Sequence, residues 1–133
     1  ESAEHFTSGY DAIDENLVGN GPQRGTLYAF IAMSGGGKSL ALTTAAVRNV
    51  CKLGKRVLYI SLEMDQDSVA QRFDAQFANV NVNQLLQKES VVKEALKEQS
   101  DQYEDPRMLI IKQFSAGTLS PNKLRAYIQQ VRM

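Results

Sequence analysis

The chain has no tryptophan, one cysteine, one histidine and only three prolines in 133 residues. A lone cysteine cannot close an internal disulfide, so no covalent cross-link supports the fold. Cys51 falls in an apolar helical pattern and reads as a buried, inert thiol, which fits a reducing cytosol. With His5 as the one histidine and no Cys/His cluster, a metal centre built from nitrogen and sulfur ligands has no donor set. Neither charge sign is in excess: 15 Lys and Arg balance 15 Asp and Glu. That balance argues against a strong general affinity for nucleic acid or acidic membrane. No apolar run approaches a membrane span, and no basic segment leads into an apolar one at the amino end. No membrane partner and no secretory leader are therefore expected.

What is present is ordinary for a globular chain: 43% apolar and 23% charged residues, in a length that suits one domain or less. No internal repeat or low-complexity tract appears. Residues 1–25 carry turn formers (Ser8-Gly9, Asn16, Gly19-Asn20-Gly21-Pro22, Gly25) around a possible short helix at 10–17, and read as a packed lead-in. From residue 26 the pattern changes to an alternation of strands and helices. Residues 27–31, Leu-Tyr-Ala-Phe-Ile, predict a first strand. A helix over about 38–53 follows, with Leu42, Ala45, Ala46, Val50 and Leu53 on one face, Lys52 in its last turn and Gly54 as its stop. The apolar run 56–62 predicts a second strand buried on both faces of a parallel sheet. Asp65 or Asp67 caps a further helix carrying Val69, Phe73 and Phe77. Residues 81–83 break it, and a polar helical stretch through Leu85, Leu86, Val91, Val92, Ala95 and Leu96 follows. The charges from Lys88 to Asp105 read as a solvated face. Asp105-Pro106 ends that region, residues 108–111 predict a third strand, and Ser120-Pro121 starts a last helix with Leu124, Tyr127, Ile128 and Val131 on its apolar face. Alternating strands and helices imply an α/β fold with a parallel sheet flanked by helices.

One segment carries chemistry. Ser34-Gly35-Gly36-Gly37-Lys38-Ser39 lies between the first expected strand and the first long helix. This is the order a phosphate-binding loop requires. Glycines let backbone N–H groups close on phosphates, and the helix start adds positive potential. Lys38 would reach the β- and γ-phosphates and the Ser39 hydroxyl would ligate Mg²⁺. The segment expected to hold Mg-ATP is Ala32, Met33, Ser34, Gly35, Gly36, Gly37, Lys38, Ser39 and Leu40. Ala32 stands where the full pattern has glycine, and a positive φ there would be strained. The bland reading is a glycine-rich turn followed by a chance Lys-Ser.

Nucleotide hydrolysis in this class also uses an acid at the end of an apolar strand. Neither expected later strand ends that way: one runs into Ser61-Leu62-Glu63 and the other into Lys112-Gln113. The small sheet and the absent acid lead us to expect a piece of a larger ATPase, cut before its acidic strand. A complete small domain that has lost catalysis is the competing expectation. Glu63 directly follows the second strand, at the sheet edge where ligands lie in open parallel folds. Position alone leaves two readings open. Glu63 activates the water that attacks the γ-phosphate, or it caps the next helix or pairs with Arg72.

Residues 58–64, Leu-Tyr-Ile-Ser-Leu-Glu-Met, resemble the Ser-Leu-Glu-Met element of the DnaB family of replicative helicases. Arg72 is similar to a recurrent arginine of that family. Residues 7–14 resemble the Thr-Gly-x-x-x-x-Asp element that precedes its RecA-like core, and the stretch from Leu109 through the helix at Ser120 is similar to the helicases of tailed bacteriophages. The resemblance covers essentially the whole chain and maps onto the first half of the motor domain. It implies a RecA-like P-loop fold with Glu63 as catalytic base and Lys38 as the catalytic phosphate ligand. It also implies a ring-forming homo-oligomer, a hexamer in the full-length protein, that hydrolyses ATP, moves along single-stranded DNA and unwinds a duplex. Primase and loader partners and a bacterial or infected-host cytosol are implied in the same way. The acidic Mg²⁺ strand, the DNA-binding loops and the arginine finger of the family are not among these residues, so the fragment alone is expected to hydrolyse little. Two other readings remain open: a RecA-like recombination or KaiC-like signalling ATPase, and an ATP-binding module without turnover.

Overall fold

Two short apolar strands, paired in parallel, organise the chain in the computed structural model, which describes residues 5–101 and 108–132. The elements are α1 (Asp11–Asp14), α2 (Lys38–Leu53), β1 (Val57–Ser61), α3 (Gln66–Ala78), a 3-10 turn (Val82–Gln84), α4 (Glu89–Asp101), β2 (Leu109–Gln113) and α5 (Pro121–Val131). The register runs from Val57 opposite Leu109 to Ser61 opposite Gln113. Strand alternation then sorts the side chains between two faces. Val57, Tyr59, Leu109 and Ile111 pack on a core formed by Ala46 of α2 and by Val69 and Phe73 of α3. Phe73 is almost fully buried and meets the Tyr59 ring edge-on at 5.1 Å, a favourable aromatic geometry. Leu58 and Ile110 instead line a cavity of about 310 Å³ with Ile128 and Val131 of α5.

Local chemistry sets the helix ends. Asp65 caps α3 by accepting from the Ser68 amide at 2.8 Å, and Asn79 ends that helix in the left-handed conformation. Ser120 caps α5 by accepting from the Lys123 amide at 3.2 Å, with Pro121 at the first helical position. Gly54 closes α2 at φ 62°, where a side chain would be strained. In α4, Val92 is buried while Glu89 and Lys93 form an exposed pair one turn apart. The break expected at Asp105-Pro106 lies outside the described residues.

Five expectations are corrected. Residues 27–31 form no strand, and Leu27 and Ile31 are 94% and 93% exposed. The sheet among the described residues therefore has two strands, not three. An apolar run becomes a strand only when a neighbour takes its backbone N–H and C=O groups, and none does so among the described residues. The buried face of α2 is Thr43, Ala46 and Val50, whereas Leu42 is 48% exposed. Thr43 tolerates burial because its hydroxyl donates to the Ser39 carbonyl at 2.8 Å. The early helix spans only Asp11–Asp14. Both strands are half-buried along most of their length rather than sealed on both faces. Cys51 is likewise half-buried, and that burial pushes its thiol up, away from the reactive form.

The lead-in is tied to α2. The Thr7 amide donates to Asn49 Oδ1 at 3.1 Å, and Asn49 Nδ2 donates to the Thr7 carbonyl at 2.8 Å. Asp14 gathers the turn by accepting from the Thr7 hydroxyl and from the Ser8 amide, the latter at 2.8 Å. Partial burial pushes the Asp14 carboxyl up, but the Thr7 and Ser8 hydrogen bonds and nearby Arg48 outweigh it and hold it below the usual aspartate value. A lowered folded-state value means stabilisation that is present above the unfolded-state value and lost as pH falls through the folded one. Asp14→Ala is therefore expected to cost about 1 kcal/mol at neutral pH, a modest figure because the group is partly solvated. The cost should shrink as pH falls below the usual aspartate value and through the lowered folded-state one, as checked by chemical denaturation across pH.

Candidate functional site

The loop before α2 is shaped by its own turn chemistry. The Gly36 amide donates to the Met33 carbonyl at 2.9 Å, and Gly35 and Gly37 take φ of 77° and 89°. Ala32 does not adopt a positive φ, so the strain expected there is absent. Its methyl group has another consequence. A Cβ added to Gly36 would lie 2.7 Å from that methyl and 2.8 Å from the Met33 carbonyl oxygen, so only glycine fits at 36. The alanine and the glycine are a matched pair.

Gly37 is the N-cap of α2, and its carbonyl accepts the first helical bond from the Ala41 amide at 2.9 Å. The leading N–H groups of a helix have no partner within it. No acidic residue sits in the first turn of α2 to answer them; Lys38 sits there instead. A cation at the positive end of a helix is locally unfavourable. This helix start leaves its positive end open to an anion.

The loop opens onto a cleft of about 460 Å³ lined by residues 34–40, Glu63, Met64 and Arg72. Glu63 arrives from the turn after β1, Arg72 from the second turn of α3. The cleft thus holds two cations, Lys38 and Arg72, against one carboxylate, in addition to the loop amides. Neither structural alternative for Glu63 is realised: Asp65 caps α3, and no ion pair joins Glu63 to Arg72 among the described residues. An exposed carboxylate without a partner among the described residues lines the same cleft as the glycine loop. Chemically, that arrangement can bind an anion and move a proton at its edge.

Of the residues expected to touch nucleotide, Ser34, Gly35, Gly36, Gly37, Lys38, Ser39 and Leu40 line the cleft with Glu63. Ala32 and Met33 do not; one braces Gly36 from below and the other closes the turn through its carbonyl. Met64 joins the lining although the sequence reading assigned it no part, and its place beside Glu63 was the available signal. Ser34 and Ser39 bring hydroxyls to the cleft, and no group of three or more His, Cys, Asp or Glu that could hold a metal exists among the described residues. No helix among the described residues is long and apolar enough to cross a membrane.

Comparison with known proteins places the chain in a family. The family model for the DnaB-like helicase C terminal domain matches residues 6–133. The chain is also similar to a DnaB-like replicative helicase of Enterobacteria phage T4, at 30% identity over 123 residues, which are 91% of this chain and 26% of that protein. The chain thus spans about a quarter of the length of that relative.

Proposed function

Since the chain belongs to the DnaB-like helicase C-terminal domain family, with its RecA-like α/β fold, we propose that the cleft binds Mg-ATP and that hydrolysis there drives a replicative DNA helicase. The observation that carries this reading is the convergence of the glycine loop, Lys38 and Glu63 on one cleft. In the proposed reaction the loop amides other than that of Gly36, which is held by the Met33 carbonyl, and the Lys38 ammonium hold the β- and γ-phosphates. Glu63 takes a proton from a water as its oxygen attacks the γ-phosphorus. The bond from that phosphorus to the β–γ bridging oxygen breaks, its electron pair stays on ADP, and inorganic phosphate leaves. Of the chain's own groups the Ser39 hydroxyl would hold Mg²⁺, which when bound would supply charge neutralisation at the phosphates. Arg72 adds positive potential without occupying Glu63.

Single-stranded DNA and further copies of the chain in a ring are the proposed partners of the full-length protein. The zero formal charge of this chain means that DNA contacts would come from particular loops rather than a general basic surface. The family match favours this reading over a recombination or clock-type ATPase. Phosphate release from Mg-ATP by the full-length protein, with and without single-stranded DNA, together with strand separation on a forked duplex, tests it. Hydrolysis that rises with single-stranded DNA and accompanies strand separation is expected. Binding without hydrolysis would leave an ATP-sensing module, and absence of binding would remove the proposal.

A further inference from the structure

The Glu63 carboxylate has no hydrogen-bond or ion-pair partner among the described residues, so only the backbone turn beneath it fixes its direction. That turn is held from both sides. Ser61 Oγ donates to the Met64 carbonyl at 2.7 Å and accepts from the Met64 amide at 3.1 Å. The Ser61 carbonyl accepts from the Phe114 amide at 2.9 Å. One further bond arrives from a distant side chain: the Gln66 amide donates to Gln113 Oε1 at 3.1 Å.

We propose that Gln113 is a positioning residue for Glu63, acting through the turn at residues 61–66. The inference rests on the hydrolytic reading of the cleft. Gln113 ends β2 directly opposite Ser61, so the strand register carries its amide group to the start of α3. Its own backbone is anchored. Phe114, the next residue, packs edge-on against Tyr127 of α5 at 5.5 Å, and the Lys112 ammonium lies 5.6 Å from the centre of the Phe114 ring. The side chain is exposed, and so is the hydrogen bond it makes. On its removal the Gln66 amide turns to water, so folding loses little. What is lost is the restraint on where residue 63 points, and small misplacement of a catalytic group costs rate steeply.

The test uses the full-length protein. Gln113→Ala is expected to lower kcat for phosphate release about tenfold, with nucleotide Kd within about twofold of wild type. Hydrogen exchange at the Gln66 amide should quicken. Gln113→Glu, whose carboxylate still accepts from that amide, should restore kcat to within about threefold. A purely structural role would instead lower the melting temperature and leave kcat alone. Unchanged kcat in Gln113→Ala, or equal losses in the Ala and Glu variants, overturns the positioning role while the hydrolytic reading stands. Absence of hydrolysis in the wild-type protein overturns both.

Discussion

Changing Glu63 to glutamine is expected to lower ATP turnover by the full-length protein roughly 10²–10⁴-fold, the usual worth of a positioned general base. Nucleotide affinity should stay within about twofold, because the amide has the same shape and the phosphate ligands are elsewhere in the cleft. Glutamine cannot take the water proton, yet it can still hydrogen-bond that water. Binding and turnover therefore separate. The cleft geometry makes the variant clean: Glu63 is exposed, caps no helix and pairs with no cation, so its charge supports no other contact among the described residues. Single-turnover phosphate release beside equilibrium nucleotide binding reads the two effects. Turnover at the wild-type rate would remove Glu63 as the base and leave the cleft a binding site.

Lys38→Ala should behave differently, weakening both binding and chemistry. A charge-assisted contact to phosphate is worth about 1.5–3 kcal/mol, or roughly 10–100-fold in Kd. Removing a cation aimed at charge that develops in the transition state costs roughly a further 10²–10³-fold in rate. Arg72 remains in the cleft but approaches from α3 rather than from the loop, so it is not expected to substitute. Folding should be unharmed, since Lys38 is exposed at the helix end where a cation is unfavourable in any case. Thermal unfolding without nucleotide checks that point, and titration with a fluorescent ATP analogue checks the loss of affinity.

These two residues were legible as letters because each sits beside a local signal. Lys38 closes a glycine loop between an apolar run and a helix, and Glu63 ends an apolar run. The caps at Ser120 and Gly54 and the strand at Val57–Ser61 were legible for the same reason: propensity and hydrogen bonding within a few residues decide them. Other features had no local signal. Whether Asp65 or Asp67 caps α3 depends on which residue leaves the helix, and the extended backbone at Asp65 decides it. Leu42 and Thr43 are neighbours, and the rotation of α2 against α3 buries the threonine because its hydroxyl has a carbonyl to satisfy it. Residues 27–31 show the converse limit. Their apolar run is a strand by composition, but strand formation needs a partner's hydrogen bonds.

The amino-acid sequence by itself determined a glycine loop ahead of a helix, two side chains of opposite charge suited to phosphate chemistry, and an alternating α/β pattern. Those follow from short-range chemistry: glycine freedom, helix polarity and apolar runs. Only the tertiary structure decided that Glu63 and Arg72 share a cleft with the loop, and that Gln113 reaches across to the turn beneath the carboxylate. The reason is register. Parallel pairing of β1 with β2, and the packing of α2 and α3 on one face of that pair, bring chain-distant residues to the same edge of the sheet, and no property of any single segment encodes that alignment.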